Sequence, residues 1–483
     1  MEIYSSKMAL ATDLYQITMA YGYWKSGKSE DKAVFHLFYR KNPFKNNYVI
    51  ACGLADVITY VQNWQFQADD IAYLAELKGN DGQLLFEKDF LDYLAQLRFT
   101  GNMFAVEEGT AVFPFQPLIR IEAPIVQAQL LETALLTMMN FQSLIATKAS
   151  RVVRAAQGDT VLEFGLRRAQ GLDGGISAAR AAYIGGCHGT SNVIAGKVYD
   201  IPVKGTHAHS WVMAFPSEME SFEAYAAVMP NNCIFLVDTY DTIEGVKNAI
   251  KVGKELQAKG HIWQGIRLDS GDLAALSIAA RKLLDEAGFE QVKIVASDDL
   301  SEYRITELKA RGAKIDTWAV GTQLVTAYDQ PALGGVYKLA AMYDDNTGKW
   351  QYKMKFSDTP IKVSNPGLLQ IRRFFMSDGK PFGDMIWNEE FSQPHTSEIA
   401  AFDGRHIVAK DRAYEDLLKP IFVKGCMVFE SKNIHEIRQY AMTQCQVYNT
   451  VNFELYPLGL ESELNALKMQ MIAENEAKNK LKA

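Results

Sequence analysis

The sequence contains no long hydrophobic run, and this absence excludes whole classes of protein. No segment reaches the roughly 18 consecutive apolar residues that a membrane-spanning helix needs. The N-terminus, MEIYSSKMALATDLYQITMAYGYW, has no uninterrupted apolar stretch followed by a small-residue cleavage site, as a secretory signal would have. We therefore expect a cytoplasmic protein that does not associate with membranes.

Cysteine is scarce and poorly spaced for metal binding or for a disulfide framework. The chain has 5 cysteines among 483 residues, scattered without CxxC spacing. Structural zinc sites usually draw on closely spaced pairs of cysteine or histidine, and disulfide frameworks on an even number of cysteines. The sequence therefore predicts reduced thiols and no zinc site.

The chain also lacks an excess of positive charge. Its formal net charge is −7, whereas proteins that bind nucleic acid through its phosphates need a surplus of lysine and arginine. Hydrophobic residues make up 48% and charged residues 22%, as in soluble globular proteins, and a length of 483 suggests two or three domains. We expect no nucleic-acid partner, although a local basic pocket for one small phosphorylated ligand is allowed.

The middle of the chain repeats short apolar runs that end in small, polar or charged residues. The runs begin about 24 to 41 residues apart and are separated by helical stretches, as in repeating β/α units. Barrels of such units place their active sites on the loops that follow the strands. An open doubly wound sheet is the alternative, but no GxGxxG follows the first strand, so a barrel is favoured. The runs are TVLEFG at 160, IPVKGT at 201, CIFLVDT at 233, QGIRLDSGD at 264, VKIVASDD at 292 and DTWAVGT at 316.

The pattern differs on both sides of this repeat. Residues 1–130 mix strand-like and helical segments, which predicts an N-terminal α+β domain. Residues 131–340 form the predicted α/β barrel. Residues 341–483 carry Asn-Thr-Gly and Asp-Gly turns between strand-like arms and end in a charged helical tail. This last part is predicted to be a β-rich C-terminal domain with a helical extension.

One cation and two carboxylates lie close together in the segment GIRLDSGDL. Arg267 and Asp269 follow a predicted strand and can hold an anionic substrate beside sugar hydroxyls or a metal-bound phosphate. Asp272 has a simpler interpretation, because it can cap the helix that begins at Leu273. Arg267 and Asp269 are therefore the candidates for a functional role.

Two other strand ends offer groups that suit a phosphate or a carboxylate. In EFGLRRAQG, Arg167 and Arg168 can bind such oxygens bidentately, although an ion pair with Glu163 or another barrel carboxylate would also explain them. In AVGTQLVT, the backbone amide of Gly321 and the hydroxyl of Thr322 can cradle a phosphate.

The remaining candidates are hydroxyl, carboxyl and imidazole groups. IVASDDLSEY offers Ser297 and Asp299, of which Asp299 can equally be a helix N-cap. GTHAHS places His207 and His209 beside a glycine turn, where a histidine can act as a base, a metal ligand or a phosphate acceptor. His188, in a glycine-rich loop, is a further imidazole that could reach the site.

Taken together, these segments resemble the nicotinate phosphoribosyltransferases, the enzymes that begin NAD salvage from nicotinic acid. The matching segments run in order along the chain and include TDLYQITMAYGYW, FHLFYRKNPF, EFGLRRAQG, GTHAHS, RLDSGDL, VGTQLVT, GGVYKL and KFSDTPIKVSNPG. The resemblance implies a type II phosphoribosyltransferase fold, which is an irregular α/β barrel with an N-terminal α+β domain and a C-terminal extension. It also implies a homodimer whose active sites are shared between subunits.

The resemblance assigns roles by motif. His209 of GTHAHS matches the histidine that is phosphorylated in the family, and Thr322 matches a contact to phosphoribosyl pyrophosphate. Tyr15 of TDLYQ, Thr206 and Arg267 match contacts to nicotinate. Three further residues match positions that line the pocket in related barrel enzymes, namely Arg167, Asp269 and Ser297. His207 receives no role.

The reaction implied by the resemblance converts nicotinate and phosphoribosyl pyrophosphate to nicotinate mononucleotide and pyrophosphate. ATP hydrolysis would be coupled through phosphorylated His209, and Mg²⁺ would accompany ATP and phosphoribosyl pyrophosphate. A nicotinamide or quinolinate phosphoribosyltransferase is one alternative, because these enzymes use a similar barrel. A member that binds nucleotides or a partner without catalysis is the other.

Overall fold

The computed structural model describes residues 7–391 and 397–480. The chain divides into two compact units, one formed by the residues up to 144 together with those from 332 onward, and one formed by residues 145–331. The predicted N-terminal and C-terminal domains therefore lie largely in the same unit. The division of the sequence into three domains stays a prediction.

The described residues form both α-helices and β-strands. The α-helices are α1 Leu14–Lys25, α2 Leu54–Gln62, α3 Ala68–Glu76, α4 Lys88–Gln96, α5 Ile125–Leu130, α6 Glu132–Ala156, α7 Leu172–Ile184, α8 Val193–Tyr199, α9 His209–Met213, α10 Glu218–Val228, α11 Thr242–Ala258, α12 Leu273–Glu286, α13 Glu302–Ala310, α14 Thr322–Val325, α15 Ile434–Tyr448 and α16 Ser462–Lys480.

The strands fall into three larger sheets and one strand pair. They are β1 Lys32–Phe38, β2 Val49–Ile50, β3 Asn102–Val106, β4 Ala111–Val112, β5 Ile119–Pro124, β6 Thr160–Glu163, β7 Gly189–Thr190, β8 Ile234–Leu236, β9 Gly265–Leu268, β10 Lys293–Ala296, β11 Thr317–Val320, β12 Val336–Asp344, β13 Lys349–Tyr352, β14 Leu369–Phe375, β15 Pro381–Asn388, β16 Glu398–Ala401, β17 His406–Val408, β18 Tyr414–Asp416, β19 Leu418–Val423, β20 Cys426–Met427 and β21 Leu458–Glu461.

The discontinuous unit is built on two larger sheets, one with strands from both ends of the chain and one whose strands all lie between residues 369 and 461. One sheet has the order β13-β12-β1-β5-β3-β19-β20, and the other has the order β17-β16-β21-β15-β14-β18. The core of the second sheet holds a charged pair, because Arg373 of β14 lies opposite Asp384 of β15 with nitrogen and oxygen 2.8 Å apart. Both side chains are buried, and Tyr456 donates a further hydrogen bond to Asp384. Each charge is therefore compensated inside the core.

The continuous unit contains a parallel sheet of six short strands in the order β7-β6-β11-β10-β9-β8. Helices connect the strands, and side chains at the strand ends start three of them. Asp241 caps α11, Asp272 caps α12 and Ser301 caps α13 by accepting hydrogen bonds from backbone amides of the first turn. The α/β fold class is confirmed, and so is the capping role of Asp272.

Five of the six predicted runs form strands, namely β6, β8, β9, β10 and β11. The run IPVKGT does not. It makes one parallel bridge, between Val203 and Thr190, and the strand beside β6 is instead β7. Within the described residues, no helix combines the length and apolar character needed to cross a membrane.

Candidate active site

A large pocket lies at the carboxyl ends of the parallel strands. Its volume is about 780 Å³, which lies within the roughly 300–1,000 Å³ that is usual for a small-molecule pocket. Eight of the predicted site residues line it, namely Arg167, Thr206, His209, Arg267, Asp269, Ser297, Gly321 and Thr322.

Arg267, in β9, organises the hydrogen bonds of this pocket. Its Nε donates to Ser297 Oγ at 2.8 Å, and its Nη1 donates to Thr206 Oγ1 at 3.0 Å. Its Nη2 donates to Asp269 Oδ1 at 2.7 Å. A guanidinium carries five N–H groups, so one N–H on each terminal nitrogen has no acceptor among the described residues. Two such groups are what a carboxylate accepts in a bidentate contact.

Asp269 stays ionised because its neighbours outweigh its burial. Burial acts to raise the pKa of this carboxyl, but the Arg267 guanidinium and the Ser297 hydroxyl lower it, and the net pKa lies below its ordinary value. Ser297 donates a hydrogen bond to Asp269 Oδ1. The pocket thus contains a carboxylate that is negatively charged at neutral pH.

His209 opens α9 and is held at both ring nitrogens. Its Nδ1 lies 3.1 Å from Thr239 Oγ1, and its Nε2 lies 3.4 Å from Asp269 Oδ2. The side chain remains 38% exposed, so a reactant in the pocket can reach it. Thr239 was not singled out from the sequence, although it follows a predicted strand in FLVDTYDT, directly after Asp238. The other strand ends carry polar groups in the same way, and this pattern could have identified it.

Asp238 fixes the loop that carries Asp269. Its Oδ2 accepts hydrogen bonds from Asp269 N and from Ser270 Oγ, both at 2.7 Å. Its Oδ1 is buried and has no hydrogen-bond partner among the described residues. A buried carboxylate oxygen without a partner is costly, so a ligand donor or cation at this atom would satisfy it.

The two arginines of EFGLRRAQG are exposed in a 3₁₀ turn, Leu166–Arg168. Glu163, the ion-pair partner considered for them, has other contacts. Its buried carboxylate accepts hydrogen bonds from Gly165 N and from Thr190 Oγ1, and burial raises its pKa despite these bonds. Glu163 therefore positions the turn that presents Arg167 and Arg168 to the pocket.

Close packing places the Gly321 and Thr322 segment beside this turn. A Cβ atom on Gly165 would lie 2.6 Å from Val325 Cβ, in α14, which begins at Thr322. Only glycine allows this approach without a shift of the backbone. Gly321 precedes the helix, and a Cβ there would lie 3.2 Å from Phe164 O.

Asp299 is not the helix cap that the sequence allowed. Ser301 caps α13, and the Asp299 carboxylate instead accepts from Gln323 Nε2 at 3.0 Å. Asp298 and Asp299 both have positive φ, 96° and 42°, which is uncommon for residues other than glycine. Strained backbone of this kind is concentrated at functional sites, and both residues line the pocket.

Two candidates lie outside this pocket. His188 accepts from Val161 N at 3.1 Å, near the start of β6 and away from its carboxyl end. The expectation that His188 could reach the site is wrong, because the loop before β7 meets the opposite end of the strand. Tyr15 lies on α1 in the other unit and is 49% exposed. Its role stays a prediction.

This arrangement suits a reaction between anionic substrates. Cationic groups can orient carboxylate and phosphate oxygens, Asp269 supplies fixed negative charge, and His209 is an accessible nucleophile or base. No group of three or more His, Cys, Asp or Glu side chains in the described part of the chain is arranged to hold a metal ion.

Comparisons with protein families match most of the chain. Residues 10–140 match the nicotinate phosphoribosyltransferase N-terminal domain. Residues 160–369 match the nicotinate phosphoribosyltransferase family, and residues 369–467 match its C-terminal domain. Three consecutive matches thus cover most of the sequence.

Two curated relatives extend the similarity. The nicotinate phosphoribosyltransferase of Bacillus subtilis is 44% identical over 478 residues, which cover 97% of this chain and 96% of the relative. The nicotinate phosphoribosyltransferase of Homo sapiens is 34% identical over 445 residues, which cover 80% of this chain and 81% of the relative.

Solved structures show the same fold. The crystal structure of human nicotinic acid phosphoribosyltransferase has a TM-score of 0.83 at 29% identity and covers 95% of this chain and 99% of that chain. The nicotinate-nucleotide pyrophosphorylase from Pyrococcus furiosus has a TM-score of 0.68 at 22% identity, with 92% and 97% covered. This second likeness concerns the fold alone. The chain therefore belongs to the nicotinate phosphoribosyltransferase family.

Proposed function

We propose that this chain forms nicotinate mononucleotide and pyrophosphate from nicotinate and 5-phosphoribosyl 1-pyrophosphate, in the salvage route of NAD biosynthesis. The observation that carries the proposal is the hydrogen bonding of Arg267. Three protein acceptors hold its guanidinium in place and leave two N–H groups available to the pocket. Those two groups match the carboxylate of nicotinate, which would then present its ring nitrogen to the anomeric carbon.

Thr206 would support the same substrate. Its hydroxyl accepts from Arg267 and donates to His207 O at 3.1 Å, which fixes its position at the pocket wall. Phosphate oxygens of the second substrate would lie against Arg167, Gly321 and Thr322. These residues share the pocket with Arg267.

The transition state would separate charge, and the site has groups of matching sign. Breaking the anomeric C–O bond places positive charge on the sugar and negative charge on the departing pyrophosphate. Asp269, ionised at neutral pH, would orient the ribose hydroxyls and stabilise the positive sugar. The Oδ1 atom of Asp238 is buried and has no hydrogen-bond partner among the described residues, so it is suited to be a protein ligand of a Mg²⁺ ion that the substrate brings. Bound there, Mg²⁺ would neutralise the leaving pyrophosphate.

ATP would act through His209. A ring nitrogen would attack the γ-phosphorus of ATP, form a phosphohistidine and release ADP, and later hydrolysis would regenerate the imidazole. The contacts to Thr239 and Asp269 orient the ring for this transfer. The added negative charge would reorder neighbouring loops and raise the affinity for substrates.

Labelled ATP tests this coupling directly. Incubation with γ-labelled ATP should give an acid-labile phosphate that maps to His209, and His209→Ala should abolish both the label and ATP hydrolysis. Slow ATP-independent formation of nicotinate mononucleotide should remain. A variant whose turnover is still stimulated by ATP would exclude this role for His209.

Parallel assays with three pyridines separate the proposed activity from its alternatives. Nicotinate should be converted, while nicotinamide and quinolinate should be poor substrates, because Arg267 is matched to a single carboxylate. Tight ligand binding without product would instead indicate a binding protein.

We also propose a cytoplasmic homodimer in which Tyr15 of one subunit stacks on the pyridine bound by the other. Tyr15 is on α1 and is half exposed, so its ring is accessible to a ligand bound by the other subunit. Mixing the Tyr15→Ala and His209→Ala proteins should restore, through hybrid dimers, part of the ATP-stimulated activity that each lacks alone. If the mixture is shown to exchange subunits but regains no activity, the proposal of active sites shared between subunits is contradicted.

A further inference from the structure

The parallel sheet of the continuous unit has two edge strands, β7 and β8, which pair with β6 and β9 respectively. An edge strand leaves backbone groups unpaired, and buried amides need an acceptor. Leu236 of β8 is 1% exposed and Thr190 of β7 is also 1% exposed, so both edges are buried. Some other part of the chain must satisfy them.

The segment that begins with IPVKGT lies beside β7. Thr190 N donates to Pro202 O, and Lys204 N donates to Thr190 O, both at 3.0 Å. A Cβ on Gly189 would lie 2.5 Å from Pro202 O, so glycine permits this close approach. The segment thus adds a single β-bridge at this edge of the sheet and does not continue as a strand.

A side chain of the same segment reaches the other edge. The Nε2 atom of His207 accepts the hydrogen bond of Leu236 N at 3.2 Å, in the place where a further strand would supply a carbonyl oxygen. Its Nδ1 lies 3.4 Å from Ala208 O, which fits a neutral ring that carries its proton on Nδ1. Tyr225 of α10 packs edge-on against the ring, with centroids 4.9 Å apart.

Burial keeps this acceptor available. The His207 side chain is 7% exposed, and burial lowers its pKa to about 4. The ring is therefore neutral at physiological pH, as an acceptor must be. Arg267 and His209 are the charged or titratable groups that lower the pKa further.

The contacts of His207 continue into Thr206 and His209, which line the pocket as His207 itself does. Its carbonyl accepts the hydroxyl of Thr206, which in turn accepts from Arg267. Two residues later, His209 meets Thr239, three residues beyond Leu236. The motif is thus attached to β8 and its loop at two points, Leu236 and Thr239.

We infer that His207 is a positioning residue that closes the gap in the sheet between β7 and β8 and thereby sets Thr206 and His209 in place. It touches no reacting atom in the proposed mechanism. This inference rests on the proposed function for its effect on activity, but the attachment itself is a property of the free protein.

Three substitutions test it in the full-length protein. His207→Gln retains an acceptor near the position of Nε2, His207→Asn retains one only near Nδ1, and His207→Phe keeps an aromatic ring without an acceptor. Misplacement of a catalytic group by about 1 Å can cost on the order of 100-fold in rate. We expect losses of that size in kcat for His207→Asn and His207→Phe, with His207→Gln within a few-fold of the parent.

Two readouts separate positioning from general stability. Acid-labile phosphate on His209 should fall in parallel with kcat when both are measured well below the thermal midpoint of each variant, where every protein is folded. Amide hydrogen exchange at residue 236 should be roughly tenfold faster in His207→Phe, as expected for the loss of one hydrogen bond.

Equal kcat in all four proteins, or unchanged exchange at residue 236 in His207→Phe, would overturn the inference. If the Phe variant does not fold, the comparison of His207→Gln with His207→Asn tests the inference instead. Equal kcat and equal exchange at residue 236 in these two variants would overturn it. Failure of the parent protein to form nicotinate mononucleotide would refute the proposed function, and the exchange comparison would still decide whether His207 holds β8.

Discussion

Replacement of Arg267 gives the sharpest test of substrate recognition. Its side chain is 12% exposed, and its two N–H groups without a protein acceptor would bind the nicotinate carboxylate. Hydrogen bonds to charged groups contribute about 1.5–3 kcal/mol each. At the lower value, the loss of two costs ~3 kcal/mol, on the order of 100-fold in affinity. Arg267→Ala should therefore raise KM for nicotinate by about that factor, with a much smaller change for phosphoribosyl pyrophosphate.

Two control variants distinguish the loss of recognition from loosening of the site. Arg267→Lys retains the positive charge but not the planar fork, and should recover only part of the affinity. Ser297→Ala removes the acceptor at Nε and one hydrogen bond to Asp269, but leaves the two N–H groups in place. Initial rates with each substrate varied at saturation of the other give both KM values. An equal rise for the two substrates in Arg267→Ala, or an equal rise for nicotinate in Ser297→Ala, would refute the reasoning.

Three further predictions concern stability. Because burial lowers the pKa of His207 to about 4, against roughly 6.5 in the unfolded chain, the unfolded state gains protons first as the pH falls from 6.5 toward 4. This linkage should lower the free energy of unfolding by ~2 kcal/mol between pH 7.5 and pH 5. Urea unfolding of His207→Phe should show a smaller decrease over the same pH range. Gly165→Ala should lose about 1–3 kcal/mol through overpacking against Val325, together with affinity for phosphoribosyl pyrophosphate; a fully stable variant would contradict the packing. Arg373→Met should lose about 3–5 kcal/mol, because Asp384 is left buried without its counter-charge, and calorimetry should show less destabilisation when Asp384→Asn is added.

The sequence predicted the strands of the parallel sheet well because their signal is local. Runs such as QGIRLDSGD combine apolar residues suited to a buried strand with the polar residues that follow it, and five of six became strands. The run IPVKGT has the same composition but forms a single bridge. Whether such a segment becomes a strand depends on neighbours on both sides, and these come from distant parts of the chain.

The sequence predicted which residues line the pocket more completely than it predicted the hydrogen bonds between them. Polar residues at strand ends identified Arg267, Asp269 and Ser297, because parallel strands end at one edge of the sheet. Their pairing, and the contact of Thr239 with His209, depend on side-chain directions that a residue pattern does not contain. The task inferred for His207 was hidden for the same reason, since only the structure shows that an edge amide lies within its reach.

The order of the two units along the chain has a consequence for synthesis on the ribosome. Strand β1 pairs with β5 on one side and with β12 on the other, and β3 pairs with β19. The sheet begun by the first 144 residues thus gains its first C-terminal strand, β12, only after the chain has passed residue 331. At roughly 5–20 residues per second, about 190 intervening residues take ~10–40 s to make. During that interval an apolar strand edge awaits its partners, and a chaperone that shields nascent chains should increase the yield of folded protein.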